Sequence, residues 1–313
     1  MLVLDIILFA AGLMLIFYGS KRTEHSGNDI ASKFVLTGVA VGAIFFSLIT
    51  AMPELFSTVY SVYYDSASIG FGNLVGTNIH NIPLAIGLPA LFTVLNYEKF
   101  AKKVCLSLFI AELFSTLLVI DGQMNAWKGT VLLICYVAYV VYVIKWGNNH
   151  DETSVEETKC SKSDREIIFN FLLGGSFLLV GCVMIVMSSL SFAEVLGISK
   201  FYVALTVMAL GSVLPEVSVS IVAAHKGHGS ICVSNSLGDN MFTIFVVLGI
   251  TGILNPFYIP PKELLISMVP MIFMTMALFF LVANTKRKLT KKHGVILLTI
   301  YFVILIIQTV YAS

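Results

Sequence analysis

Charge is scarce in this chain of 313 residues: Asp, Glu, Lys and Arg together make up only 12% of it, where a soluble globular domain carries about a quarter. That scarcity excludes an ordinary water-facing surface. The net charge of +1 says nothing about partners, among which nucleic acid is not expected. Cysteine is also sparse. Cys105, Cys135, Cys160, Cys182 and Cys232 show neither metal-ligand nor disulfide-framework spacing, so their expected role is apolar packing. There is no paired catalytic histidine, no zinc motif and no G-x-S-x-G elbow, which disfavours a membrane enzyme. A cleavable leader is missing too. The basic pair Lys21-Arg22 follows the first apolar stretch instead of preceding it, and no A-x-A-like site is present; the stretch is expected to stay as the first helix.

What the chain has instead is apolar length. Hydrophobic residues make up 58% of it and fall in blocks such as 2–19, 104–120, 130–144, 167–187, 264–283 and 295–311. Runs of roughly 17–25 apolar residues cross a bilayer as helices. The pattern predicts spans near 2–19, 34–61, 67–95, 104–120, 127–145, 167–190, 201–225, 229–252, 264–284 and 294–311. The expected class is an all-α membrane protein of about ten transmembrane helices. With these spans, 16 of the 19 basic residues fall on one side, and only Lys128, Lys200 and Lys262 on the other. Basic residues in short loops stay cytoplasmic. The expectation is therefore a multi-pass protein of the plasma membrane with both termini outside the cytoplasm.

The hydrophilic segment 147–166 divides the chain into two halves, 1–146 and 167–313, and reads as a flexible cytoplasmic linker. A gapless repeat crosses it at an offset of 162 residues. Residues 49–88 match 211–250 with the identities Pro53/Pro215, Glu54/Glu216, Ser68/Ser230, Ile69/Ile231, Asn73/Asn235, Gly76/Gly238, Asn78/Asn240, Ile82/Ile244 and Gly87/Gly249. Generic membrane helices share Leu, Ile and Val by chance, not Pro, Gly, Asn and Glu. The first half has an odd number of spans, so the second copy enters the membrane from the opposite side. Two inverted five-helix repeats are a transporter design with a site between them at the midplane.

The repeated residues carry chemistry. An ionised carboxylate in hydrocarbon costs on the order of 2.5 kcal/mol or more, so an intramembrane glutamate is read as functional. Glu54 and Glu216 each follow a proline, which kinks the helix and frees carbonyls near Ile49–Thr50 and Gly211–Ser212. Positions four apart share a helix face, so Asn73, Thr77 and Asn81 form one polar stripe, and Asn235, Asp239 and Thr243 its counterpart. Glu54, Glu216, Asp239, Asn81, Thr50, Ser212, Thr77, Asn73, Asn235 and Thr243 are the candidate ligands. An all-oxygen set with several carboxylates suits Ca2+, which takes six to eight oxygens, better than a transition metal. The plainer reading of the Asn and Ser stripes is interhelical hydrogen bonding. His80 is expected to pack or to bond a carbonyl. His225, Lys226 and His228 read as a solvated loop, and Glu112 has no assigned role.

The two copies resemble the alpha repeats of the cation/Ca2+ exchanger superfamily, especially sodium/calcium exchangers. There a G-(T/S)-S-x-P-(E/D) segment pairs with a G-N-x-x-G-S-N-x-x-(N/D) segment in each half. The matching residues here are Ile49-Thr50-Ala51-Met52-Pro53-Glu54 and Gly211-Ser212-Val213-Leu214-Pro215-Glu216, with Gly72–Asn81 and Ser234–Thr243. The resemblance implies the ten-span fold, central Ca2+ ligation by Glu54 and Glu216, an amide ligand in Asn81, and no cofactor beyond the transported ions. Thr77 replaces the usual Ser of the second motif conservatively in copy one, and four further departures bear on the site. Ala51 and Val213 replace the serine associated with Na+ sites, and Asp239 and Thr243 replace the Ser and the final acid of the second motif. The carboxylate of the second copy has moved by one helical turn. The expected function is a secondary antiporter that exchanges Ca2+ for a monovalent cation, Na+ or H+. A monovalent cation/proton exchanger on the same scaffold is the alternative, and a cation channel fits a two-fold inverted repeat less well. The partners are the lipid bilayer and inorganic cations; the sequence leaves the oligomeric state open.

Overall fold

The structure, a computed structural model, describes residues 2–31, 43–44, 47–64, 66–147 and 163–312. It is helical nearly throughout. Among the described residues, 7 helices are long and apolar enough to cross a membrane, and the shorter apolar stretch Val3–Gly19 adds to them. The expected span 34–61 falls partly outside the described residues. The expected span 104–120 lies in the helix Lys99–Leu118.

Two helices run past the spans that apolar length predicts. The first helix runs over Leu2–Ala31, well past residue 19. The helix Asp164–Leu196 begins inside the expected linker. Apolar length records where hydrocarbon ends, whereas a helix ends where its backbone hydrogen bonds lose their partners. The start at Asp164 has its own local signal: Ser163 caps it by accepting the Glu166 N–H at 3.3 Å. Among the described residues there are also four two-residue strands: β1 (Leu95–Asn96), β2 (Gln123–Met124), β3 (Phe257–Tyr258) and β4 (Lys288–Leu289). β1 pairs antiparallel with β4, and β2 with β3.

The proline positions break their helices as the backbone chemistry requires. Ser47–Thr50 stops at Ala51, which has φ −78° and ψ 5°, and Met52–Tyr63 resumes with Pro53 in its first turn. Ala209–Ser212 stops at Val213, with φ −78° and ψ −6°, and Leu214–His225 resumes with Pro215. Each break sits just ahead of a glutamate. The two asparagine-bearing helices are Ala67–Asn81 and Gly229–Phe242. Each runs directly into a π-helical turn, Ile82–Gly87 and Thr243–Val247 respectively. A third π-turn, Ala204–Met208, precedes the Val213 break.

The structure repeats at the interval found in the sequence. The helices starting at Leu2, Met52, Ala67 and Lys99 have counterparts starting at Asp164, Leu214, Gly229 and Pro261, each 162 residues on. Close contacts obey the same rule. A Cβ on Gly76 would collide with the Leu205 carbonyl oxygen, and one on Gly238 with the Ala43 carbonyl oxygen. Gly12 and Gly181 face each other's carbonyl in the crossing of Leu2–Ala31 with Asp164–Leu196. Side-chain-free backbone contact is how membrane helices approach closely. Gly76→Ala should therefore destabilise the fold by about 3 kcal/mol or more, since overpacking against backbone has no soft partner to move. Gly175→Ala, where a Cβ meets open space, is the control. Equal thermal midpoints for the two variants would show that the Gly76 contact is not tight.

Candidate cation site

The two breaks and the two asparagine helices converge on a buried polar core. Glu54 and Glu216 are both fully buried, as are Asn73, Asn81, Asn235 and Thr243. Thr77, Ser212 and Asp239 are 1% exposed. The side chain of Thr50 lies outside the described residues.

Asp239 and Asn81 meet across the two copies. Asn81 Nδ2 lies 2.8 Å from Asp239 Oδ2, 2.9 Å from Asn240 Oδ1 and 3.2 Å from the Ser236 carbonyl. An amide nitrogen has two hydrogens, so these three acceptors share it. Asn81 Oδ1 and Asp239 Oδ1 have no hydrogen-bond partner. Asn240 in turn donates to the carbonyl of Asn78, its own repeat counterpart, at 3.1 Å. Glu54 lies close enough to Asp239 for the two carboxylates to repel. Both Glu54 oxygens lack a hydrogen-bond partner. Glu54 and Asp239 thus place three buried carboxylate oxygens with no donor on them.

A second cluster also joins the copies. Asn73 donates to Ser57 Oγ at 3.0 Å and accepts from Ser212 Oγ at 3.2 Å. Its counterpart Asn235 has neither amide atom bonded. For the amide nitrogen the difference is compositional: the residue 162 after Ser57 is Val219, which has no hydroxyl. Thr77 and Thr243 turn their hydroxyl hydrogens onto their own helices, at Leu74 O (2.9 Å) and Asp239 O (2.9 Å). A hydroxyl that donates this way keeps its lone pairs for a cation.

Sequence reading did not single out Ser57, the role of Asn240, or Tyr136. The identity Asn78/Asn240 was a signal for the second of these. Tyr136 carries a buried hydroxyl without a partner and lies near Asp239. Its ring meets Phe242 edge-on at 5.7 Å, and Tyr301 meets His80 the same way at 5.4 Å. These are equivalent pairs, since Tyr136 and Tyr301 hold the same place in the helices Ala126–Gly147 and Lys291–Ala312. His80 bonds a carbonyl as expected: Nε2 sits 3.0 Å from Leu205 O, so that nitrogen carries the hydrogen. His225 and Lys226 are exposed, at a helix end. Glu112 is fully buried, and its Oε1 accepts from Thr275 Oγ1 at 2.8 Å. Among the described residues no three His, Cys, Asp or Glu converge, so a cation here would draw largely on amide, hydroxyl and carbonyl oxygens.

Broken apolar helices that bury carboxylates at membrane depth define an integral, multi-pass membrane transporter for inorganic cations. The family profile described as sodium/calcium exchanger protein matches residues 4–145 and 167–310, and the chain belongs to that family. An uncharacterized membrane protein of Methanocaldococcus jannaschii is 28% identical over 307 residues, covering 97% of each chain. The sodium/calcium exchanger MaX1 of Methanosarcina acetivorans is 24% identical, covering 98% of this chain and 99% of its own. A solved structure of the sodium-calcium exchanger NCX_Mj, soaked with 10 mM Na+ and 10 mM Sr2+, superposes with a TM-score of 0.71 at 26% identity; the match covers 97% of this chain and 98% of that one.

Proposed function

We propose that this protein is a secondary antiporter that exchanges Ca2+ for a monovalent cation by alternating access. The observation that carries the reading is Glu54: a fully buried carboxylate at a helix break, with both oxygens unbonded, beside a second carboxylate. A buried charge left this way is costly unless a cation completes the site. Asn81 Oδ1 and Asp239 Oδ1, also unbonded, add oxygens to the same centre. Glu216 occupies the equivalent break. The remaining candidates, Asn73, Asn235, Thr77, Thr243, Ser212 and Thr50, supply neutral oxygens to the set. Glu54 and Asp239 together match the charge of one Ca2+, and Glu216 stands at the equivalent break. Family membership, and what the named relatives are said to exchange, support the same reading.

The proposed architecture is ten spans in two inverted five-helix halves, 1–146 and 167–313, in the plasma membrane with external termini. The contacts that recur at one constant interval support it, as does the hydrogen bond from Asn240 to Asn78. Orientation has a direct test. A cysteine placed at Ser154, with the native cysteines blocked, should react with an impermeant thiol reagent only in permeabilised cells or inverted vesicles. Reaction in intact cells would reverse the orientation. The function is tested with purified protein in sealed vesicles, by following Ca2+ uptake driven in turn by Na+, K+, Li+ and H+ gradients. Uptake that never exceeds equilibration under any of them would make the protein a channel.

A further inference from the structure

The two strand ladders stand in equivalent places in the repeat and are charged differently. The β2–β3 ladder carries Asp121 and Lys128 on one side and Lys262 and Glu263 on the other. There Lys128 is closed onto Asp121, with Nζ 2.5 and 2.7 Å from the two carboxylate oxygens and 2.8 Å from Gln123 O. That bond holds the Asp121 carboxyl below its usual range.

The β1–β4 ladder does the opposite. With Tyr97 N–H bonded to Arg287 O at 3.1 Å, it brings Lys99, Lys102 and Lys103 up to the basic run 286–292. Glu98 is the sole carboxylate in segments 95–103 and 285–293. Lys102 is committed to the end of Pro261–Asn284, donating to Ala283 O and Thr285 O at 3.1 and 3.3 Å. Lys99, Lys103, Lys286, Arg287, Lys288, Lys291 and Lys292 are exposed, and none forms an ion pair among the described residues. The ladder itself does not require this charge, because β2–β3 forms without it.

Two further features point to an anion at the membrane surface. The helices Lys99–Leu118 and Lys291–Ala312 both begin here, so two positive helix ends add to the cations. An aromatic chain from Phe100 through Tyr142 to Trp146, with ring centroids 5.7 and 5.3 Å apart, flanks the same end. Trp146 is 45% exposed, and indoles settle at headgroup depth. Clustered Lys and Arg at that depth select anionic lipid.

We propose that the β1–β4 end of the molecule is a docking site for the phosphate headgroup of an anionic phospholipid, held by cations of both repeat copies. A lipid bound here bridges segments far apart in the chain and stabilises the bundle end. This claim is independent of what the protein transports, and its test reads stability alone.

Purified full-length protein in mild detergent is titrated with phosphatidylglycerol or phosphatidylcholine while its thermal midpoint is followed. Phosphatidylglycerol should raise the midpoint, and phosphatidylcholine should not. The shift should fade toward 1 M NaCl, where the screening length falls to about 3 Å. The triple variant Lys103→Gln, Lys286→Gln, Lys292→Gln should match the native midpoint in phosphatidylcholine and need on the order of tenfold more phosphatidylglycerol for half the shift. Lys262→Gln, at the other ladder, should respond as the native chain does. If the triple variant does not fold, the single Lys292→Gln and the salt titration of the native protein decide. Equal shifts with both lipids, or a basic-patch variant that responds like the native chain, overturns the proposal.

Discussion

Replacing Glu54 or Glu216 by glutamine should abolish Ca2+ transport and leave the fold intact. Glutamine keeps the length and shape of glutamate and removes the charge. In the cation-free protein that removal relieves Glu54 of its repulsion with Asp239 and spares the cost of a buried carboxylate. The thermal midpoint of Glu54→Gln should thus equal or exceed that of the native chain. Transport should behave in the reverse way. A divalent ion surrounded by amides and hydroxyls loses its main compensating charge. Two tenfold steps of affinity amount to only about 2.8 kcal/mol, so a drop in uptake of at least roughly a hundredfold is expected. Uptake in proteoliposomes, measured alongside monodispersity in detergent, checks this. Near-normal uptake by either variant removes that residue from the site.

Glu54 and Glu216 were legible in the sequence because their surroundings are chemically unusual: a proline and a glutamate at membrane depth, twice, at one interval. The same signal located the helix breaks at Ala51 and Val213. Partners contributed by neighbouring helices were harder to read. Ser57 looks like any helix serine until it meets Asn73, and Tyr136 comes from a span with no repeat motif. Nor did apolar runs reveal how far Leu2–Ala31 extends, since polar residues beyond the hydrocarbon are compatible with continued helix. The two-residue strands carry too few residues to leave any periodic trace.

The second large effect concerns the ion that returns. Ala51 and Val213 are both fully buried and apolar, at the positions where related exchangers place a serine. Sodium needs several close oxygens, and these side chains supply none. A proton needs only one carboxylate, and burial or a neighbouring negative charge favours its uptake. We therefore expect fewer bound Na+ than in a typical sodium/calcium exchanger, with H+ as counter-ion and Asp239 as the coupling group. Asp239 lies one turn before Thr243, which donates to its carbonyl, so the carboxylate is displaced along the helix and not lost. In proteoliposomes free of Na+, an imposed pH gradient should drive Ca2+ against its own gradient. Asp239→Asn should uncouple the two by an order of magnitude or more, with Asn81 left to bond a neutral amide. Strict dependence on Na+, without response to pH gradients, would falsify proton coupling and return the protein to ordinary sodium/calcium exchange.

The two ladders have a consequence for assembly. Each pairs a strand from before residue 147 with one from after residue 163, so each half of the chain is hooked into the other at two separate points. In oligomer terms, the contacts are those of a heterodimer whose subunits share one polypeptide. The covalent link between them then acts through effective concentration, and the ladders, the glycine crossings and the buried amide bonds between the copies carry the recognition.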